Sequence, residues 1–126
     1  MSTTFYVKYA VPKEIVGAAY EALQLASKSG IVRKGTNEAT KAVERAQAKL
    51  VVIAEDVDPP EVIAHLPLLC DERKIPYVFV PQKIKLGNAV GIDVPAASVV
   101  IIKEGDATGL INEIIMRIEQ VKRGAQ

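Results

Sequence analysis

The segment RKGTNEATKAVER, Arg33 to Arg45, brings an amide, two carboxylates and several cations into one short stretch. At helical spacing Asn37, Glu38, Lys41 and Arg45 fall on one side, and Ala39, Ala42, Val43 and Ala46 on the other. Such a polar face can meet the edge of a guanine. The base accepts at O6 and N7, which Asn37 and Lys41 can satisfy as donors. It donates from N1–H and its amino group, for which Glu38 is an acceptor. Those N–H groups are free only where the base is not in a Watson–Crick pair, so the mixture suits an irregularly paired RNA. A bare phosphate fits less well, because Glu38 would repel it. Arg33, Lys34 and Arg45 then remain to hold the backbone.

A capped surface helix accounts for part of the same stretch. Thr36 as N-cap can accept a backbone N–H, Gly35 allows a tight exit from a preceding strand, and Glu38 suits the positive first turn. An exposed Glu38–Lys41 pair would add only about 0.2–0.5 kcal/mol. This explains Gly35, Thr36 and Glu38 without a ligand but gives Asn37, Lys41 and Arg45 no task. A second segment, VGIDVPAAS from Val90 to Ser98, places small apolar residues and a proline where a loop is normally polar. Either the loop tucks against the core, or Ile92, Val94 and Pro95 form an apolar platform for an extruded base.

The elements that must position these residues alternate in type. PKEIVGAAYEALQLASKSG has Ile15, Val16, Ala19, Leu23 and Ala26 at helical spacing, with Pro12 suited to the first turn and Gly30 to the end. A short strand is expected over Ile31 to Lys34 and a helix from Thr36 to about Gln47. KLVVIAE reads as a strand buried on both faces. Asp58 and the Pro59-Pro60 pair should open a helical segment through Lys74, broken or kinked at Pro67. YVFV and SVVIIK are further strands, QKIKLGNAVG a short helix, and Leu110, Ile111, Ile114, Ile115, Ile118 and Val121 mark one side of a C-terminal helix. Helices alternating with short apolar strands imply an α/β fold, a three-layer α/β/α sandwich. The first few and last three or four residues are the candidates for lacking structure.

Composition narrows the function. With 126 residues, 49% hydrophobic and 25% charged, one soluble domain over residues 1–126 is expected, and no apolar run approaches the ~20 residues of a membrane span. The opening MSTTFYVKYAVPKE lacks a signal-peptide core and the single Cys70 cannot form an internal disulfide, so a cytoplasmic, reducing compartment is expected. The net charge of +1 hides a pattern. Lys28 to Lys49 holds six cations against two anions, Leu50 to Glu72 six acids and no Lys or Arg, and cations return at Arg73, Lys74, Lys83 and Lys85. Two basic segments separated by an acidic one can fold into one positive face, although scattered solvated charges would give the same count.

Other chemistries find fewer residues. Glu55, Asp56 and Asp58 at the end of an apolar strand, with Lys103 at the end of another, suggest a phospho-receiver or nucleotide site holding magnesium. The order is wrong for a receiver, whose paired acids close the first strand, and a later phosphoacceptor Asp is missing. His65 and Cys70 have no second Cys to complete a zinc site, which leaves both a core or boundary role. With no Ser-His-Asp set and no Gly-rich phosphate loop, neither catalysis nor a bound cofactor or metal is expected. The helix from Pro59 to Lys74 remains a possible protein-interaction surface.

At this point RKGTNEATKAVERAQAKLVVIAEDVDPPEV, followed by HLPLLCDERKIPYVFVPQKIKLGNAVGI, resembles the archaeal large-subunit ribosomal protein family that binds RNA kink-turns, the L-seven-Ae family. The resemblance runs from about Pro12 to the C-terminal helix. Its more specific part is Cys70 to Gly87, with Ile75-Pro76-Tyr77, Gln82-Lys83 and Leu86-Gly87 in order. It implies a three-layer sandwich on a mixed four-stranded sheet, and recognition of tandem sheared G·A pairs in a kink-turn. It puts Gly35, Asn37, Glu38 and Lys41 against the sheared guanines, and Arg33, Lys34, Arg45 and Lys83 near the backbone or flanking bases. Ile92, Asp93, Val94, Pro95 and Ala96 would cover the extruded nucleotide, with Asp93 adding a negative charge beside RNA. Proteins similar to this one serve in the ribosome, in box C/D and H/ACA guide-RNA particles beside scaffold proteins, and in ribonuclease P and tRNA processing. The resemblance implies a non-catalytic protein, monomeric when free.

Overall fold

A computed structural model of the chain describes residues 11–124. The expectations for the opening segment and for the last two residues lie outside the described residues, whereas Arg123 and Gly124, expected to lack structure, belong to the C-terminal helix. In chain order the elements are α1 (Lys13–Ser29), β1 (Ile31–Lys34), α2 (Thr36–Glu44), β2 (Leu50–Ala54), α3 (Glu61–Arg73), β3 (Tyr77–Val80), α4 (Lys83–Ala89), β4 (Ser98–Lys103) and α5 (Thr108–Gly124), the last preceded by a 3-10 turn over Gly105–Ala107.

The strands form one sheet in the order β1-β4-β2-β3. β4 runs antiparallel to both β1 and β2, while β2 and β3 are parallel. The sheet is therefore mixed, as expected. β2, in the interior and covered on both faces, has every residue buried, which is why its sequence is a continuous apolar run without alternation. β1 is an edge strand that ends in exposed Arg33 and Lys34, charges that discourage pairing with another chain. At the other edge, the Lys122 ammonium of α5 lies 5.2 Å over the Tyr77 ring.

Helices cover both faces of the sheet. α1 packs against α4 and α5, and α2 against α3 and β4. The α1 residues Ile15, Ala19, Ala22, Leu23 and Ala26 are buried, and from α5 so are Ile111, Ile114 and Ile118. α2 is only nine residues long, too short to be stable alone. Burial of Ala39, Ala42 and Val43 against its neighbours holds it.

Three local expectations need correction. α2 stops at Glu44 rather than near Gln47. Ala46 takes a left-handed φ of 57°, and Gln47 N–H donates back to the Ala42 carbonyl at 2.8 Å, closing the helix so that the chain can turn into β2. Ala46 is consequently exposed rather than core-facing, and Ala48 takes the buried place. Next, α3 begins at Glu61 after Pro60, not at Asp58. The expected break at Pro67 does not occur: the helix continues through it, since a proline removes only one helical donor and this one lies among buried neighbours. The end of α3 repeats the device seen in α2: Lys74 is left-handed at φ 59°, and Ile75 N–H donates to Cys70 O at 2.9 Å.

Candidate functional site

Strand directions decide which residues meet. Because β4 opposes β1 and β2, and β3 follows β2, the ends of β1, β2 and β3 gather at the same end of the sheet as the start of β4. Gly35 and the first turn of α2, Glu55 and Asp56, the start of α4, and the loop entering β4 thus lie together.

The join between β1 and α2 differs from expectation. Thr36 is not the N-cap but the first helical residue; Gly35 occupies the cap position, and no side chain caps the helix. Gly35 has φ 102° and ψ 150°, a region open essentially to glycine alone. Its N–H donates to the Ser98 carbonyl at 2.9 Å, and its own carbonyl accepts from Ala39 N–H at 3.0 Å. The Thr36 hydroxyl, freed from capping, lies 3.3 Å from the hydroxyl of fully buried Ser98. Thr40 adds a link to α3: its hydroxyl donates to the Thr36 carbonyl at 2.7 Å and sits 2.9 Å from His65 Nε2. His65 is therefore an exposed residue tied to α2, rather than a core or boundary one, while Cys70 is buried in the core.

Asn37, Glu38, Lys41 and Arg45 are all exposed. Lys41 Nζ stands 3.7 Å from Glu38 Oε2, a loose surface pair that a ligand can open at small cost. Arg33, Glu38, Lys41 and Arg45 line one open groove of about 610 Å³, joined by Gln47, Lys49 and Lys103. Lys34 departs from this group. It lines an adjoining hollow with Ser27 and Val90, and Arg33 borders both this hollow and the groove.

The loop before β4 divides. Val94 is 57% exposed and Ile92 half-buried, while Ala96 is buried in the core cluster. Asp93 and Pro95 are exposed. The loop is fastened to α4 by Ile92 N–H on the Gly87 carbonyl, 3.1 Å, and Ala96 N–H on the Lys83 carbonyl, 3.0 Å. A Cβ at Gly87 would collide with the Val94 carbonyl oxygen, so this close approach requires glycine. The loop is thus tucked against the core at Ala96 and presents Val94 and Pro95 to solvent.

One of the acids grouped as a possible phosphoryl site, Asp56, has a structural task. Asp56 Oδ1 accepts the Lys83 N–H at 2.7 Å, satisfying a donor in the first turn of α4. Burial, and then the neighbouring Asp56 carboxylate, pushes the Glu55 carboxyl above its usual range. Burial likewise raises the Tyr20 phenol, against the pull of the Gln82 backbone and with help from Asp56 and Glu55. Lys83, half-buried, thus stands between the loop and an acidic pair. Sequence reasoning overlooked Lys49 and Lys103 as members of the groove. Lys103 reaches it only because it pairs with Ile31 across the sheet, a register with no signature in the sequence.

No helix among the described residues is long and apolar enough to cross a membrane. Among solved structures, the chain is similar to the Giardia lamblia 15.5kD RNA binding protein. The two share 32% identity and a TM-score of 0.82 over 91% of this chain and 95% of that one. The model of the ribosomal protein L7Ae/L30e/S12e/Gadd45 family matches residues 17–111, a span that contains every candidate residue from Arg33 to Ala96. On both the family match and the shared fold, the chain belongs to the ribosomal protein L7Ae/L30e/S12e/Gadd45 family.

Proposed function

We propose that this chain is an RNA-binding protein, not an enzyme, that recognises and stabilises kink-turns containing tandem sheared G·A pairs. One observation carries the reading: the exposed donors and acceptor of α2 share an end of the sheet with the apolar loop, and the Gly35–Ser98 hydrogen bond locks the two together. A sheared guanine exposes O6 and N7 beside N1–H and its amino group, so its recognition takes donors and a carboxylate side by side. Asn37, Lys41 and Glu38 supply them. Val94, Pro95 and the exposed part of Ile92 offer cover to a base that has left the stack. Arg33, Arg45 and Lys83 meet backbone or flanking bases, and Lys34 meets them from the adjoining hollow.

Membership in the ribosomal protein L7Ae/L30e/S12e/Gadd45 family and likeness to the Giardia lamblia 15.5kD RNA binding protein support this assignment. In the cell the same activity fits a place in the large ribosomal subunit, in box C/D and H/ACA guide-RNA particles with a scaffold protein alongside, and in ribonuclease P. The protein acts there as a monomer. Titration of the purified protein with one kink-turn RNA and with a control whose G·A pairs are replaced by Watson–Crick pairs tests the reading. Tight binding to the first alone is expected, and equal affinity for both would overturn it.

A further inference from the structure

The groove beside α2 continues well past the residues assigned to the sheared pairs. It starts at Arg33 and Glu38 and ends at Lys49 and Lys103, at the opposite end of β1. Among the described residues five cations line it, Arg33, Lys41, Arg45, Lys49 and Lys103, with Glu38 as the one carboxylate. Only Lys41 among them makes an ion pair with a described residue. A concave wall of one sign concentrates a counter-charged ligand.

We infer that this groove holds the phosphate backbone of one helical arm of the RNA, with Lys49 and Lys103 as its far contacts. The inference rests on the RNA-binding reading above and extends it to residues that the sheared pairs do not reach. Length supports it. From Glu38 to Arg45, α2 rises ~10 Å, and β1 from Ile31 to Lys34 spans about the same. A groove of that length can follow a short run of backbone phosphates. Chemistry supports it as well. Among the described residues the lining has no aromatic ring on which an unpaired base would stack, and its carboxylate lies at the end shared with the base-reading residues. The far part offers Arg45, Gln47, Lys49 and Lys103, all donors in their side chains. Such a lining suits phosphate oxygens, which accept only.

The test compares the parent protein with the double variant Lys49→Gln, Lys103→Gln, both positions being exposed, so that matching thermal unfolding curves are expected. Each binds a kink-turn RNA with two full-length arms, versions with one or the other arm cut back, and the G·A-disrupted control, over a range of salt. On the full RNA the variant should bind about tenfold or more weakly near physiological salt, with a slope of log affinity against log salt shallower by about two units. Cutting back one particular arm should give the parent the variant's weaker affinity and shallower slope, and should leave the variant unchanged. If parent and variant bind the full RNA alike while both still reject the control, the groove assignment is overturned, the kink-turn reading stands, and an acidic protein segment becomes the better occupant. If the parent does not reject the control, both fall together.

Discussion

The backbone N–H of Gly35 donates to the Ser98 carbonyl at 2.9 Å, joining the residue before α2 to the first residue of β4. This bond sets the distance between the polar face of α2 and the apolar loop that precedes Ser98, and it depends on a backbone conformation that only glycine takes without strain. A Cβ at Gly35 would touch nothing within 4 Å, so any penalty for Gly35→Ala is conformational. We expect a loss of ~1–3 kcal/mol of stability in urea unfolding, together with weaker RNA binding as α2 and the loop lose register. An unchanged unfolding midpoint would show that the chain reaches Ser98 by another backbone path.

Gly87→Ala acts differently, through contact. The new methyl would enter the Val94 carbonyl oxygen, so either α4 or the loop must move. Overpacking of this kind costs about 1–3 kcal/mol. Because Ile92 N–H and Ala96 N–H both hang from α4, the movement should reach the presented Val94 and Pro95. Amide exchange at Ile92 and Ala96 should therefore rise in this variant. Exchange that stays as slow as in the parent would mean that the loop is held by something else.

Much of the fold was legible because burial leaves a periodic trace. The continuous apolar run Leu50–Ala54 and the spaced apolar residues of α1 and α5 each reported their surroundings. The α2 face was legible for the same reason, since Ala39, Ala42 and Val43 fix which side Asn37, Glu38 and Lys41 must take. Helix ends were less so. Ala46 and Lys74 adopt left-handed conformations without being glycine or asparagine, and only the bonds back to Ala42 and Cys70 require it. Thr36 misled because a threonine before a helical run looks like a cap, whereas here the partner of its hydroxyl comes from Ser98, 62 residues away. Lys103 was out of reach for a similar reason: its place in the groove follows from strand register, which short strands in a sequence do not state.

Reading and positioning can be separated by two substitutions on α2. Glu38→Ala removes the acceptor for guanine N–H groups, and should weaken binding to a kink-turn by ~1–3 kcal/mol although it deletes a negative charge near RNA. Arg45→Ala should instead make the salt dependence shallower by about one unit of slope, with little change in the preference for G·A pairs. Tighter binding by Glu38→Ala would reduce the face to a charged surface.

Two groups, buried Cys70 and partly buried Glu55, make stability depend on pH in the same direction. Cys70, fully buried, has its thiol pushed up to about 12, chiefly by loss of water and secondly by Asp71. The unfolded thiol ionises near 9.0, so the folded chain holds the extra proton between these values, and stability should fall as pH rises through that window. Glu55 behaves likewise at lower pH. Its raised carboxyl favours the folded state at pH values below the usual carboxylate range, and that contribution is lost as pH climbs through the raised value. Glu55→Gln should remove the acidic part of the slope and leave the alkaline part. Cys70 should stay unreactive to a thiol reagent at neutral pH until denaturant is added. Rapid labelling of the native protein would contradict its burial.

The mechanical consequence concerns the RNA. A kinked RNA samples extended and bent forms, and a protein that touches guanine edges and an extruded base only in the bent form shifts the population by its differential affinity. Moving the balance from mostly extended to mostly bent takes roughly 5 kcal/mol, within the reach of a few base contacts at ~1–3 kcal/mol each. Fluorophores on the two arms should therefore approach one another as protein is added, without magnesium to hold the bend. The loop should contribute to this. Val94 is more than half exposed and Pro95 is exposed, so replacing both with Gly removes apolar cover and adds freedom that binding must take away. More of that variant should be needed for the same approach of the arms, while its discrimination between G·A and Watson–Crick pairs, which comes from α2, should persist. Arms that remain apart at saturating protein would mean that the α2 face and the loop grip a different RNA shape.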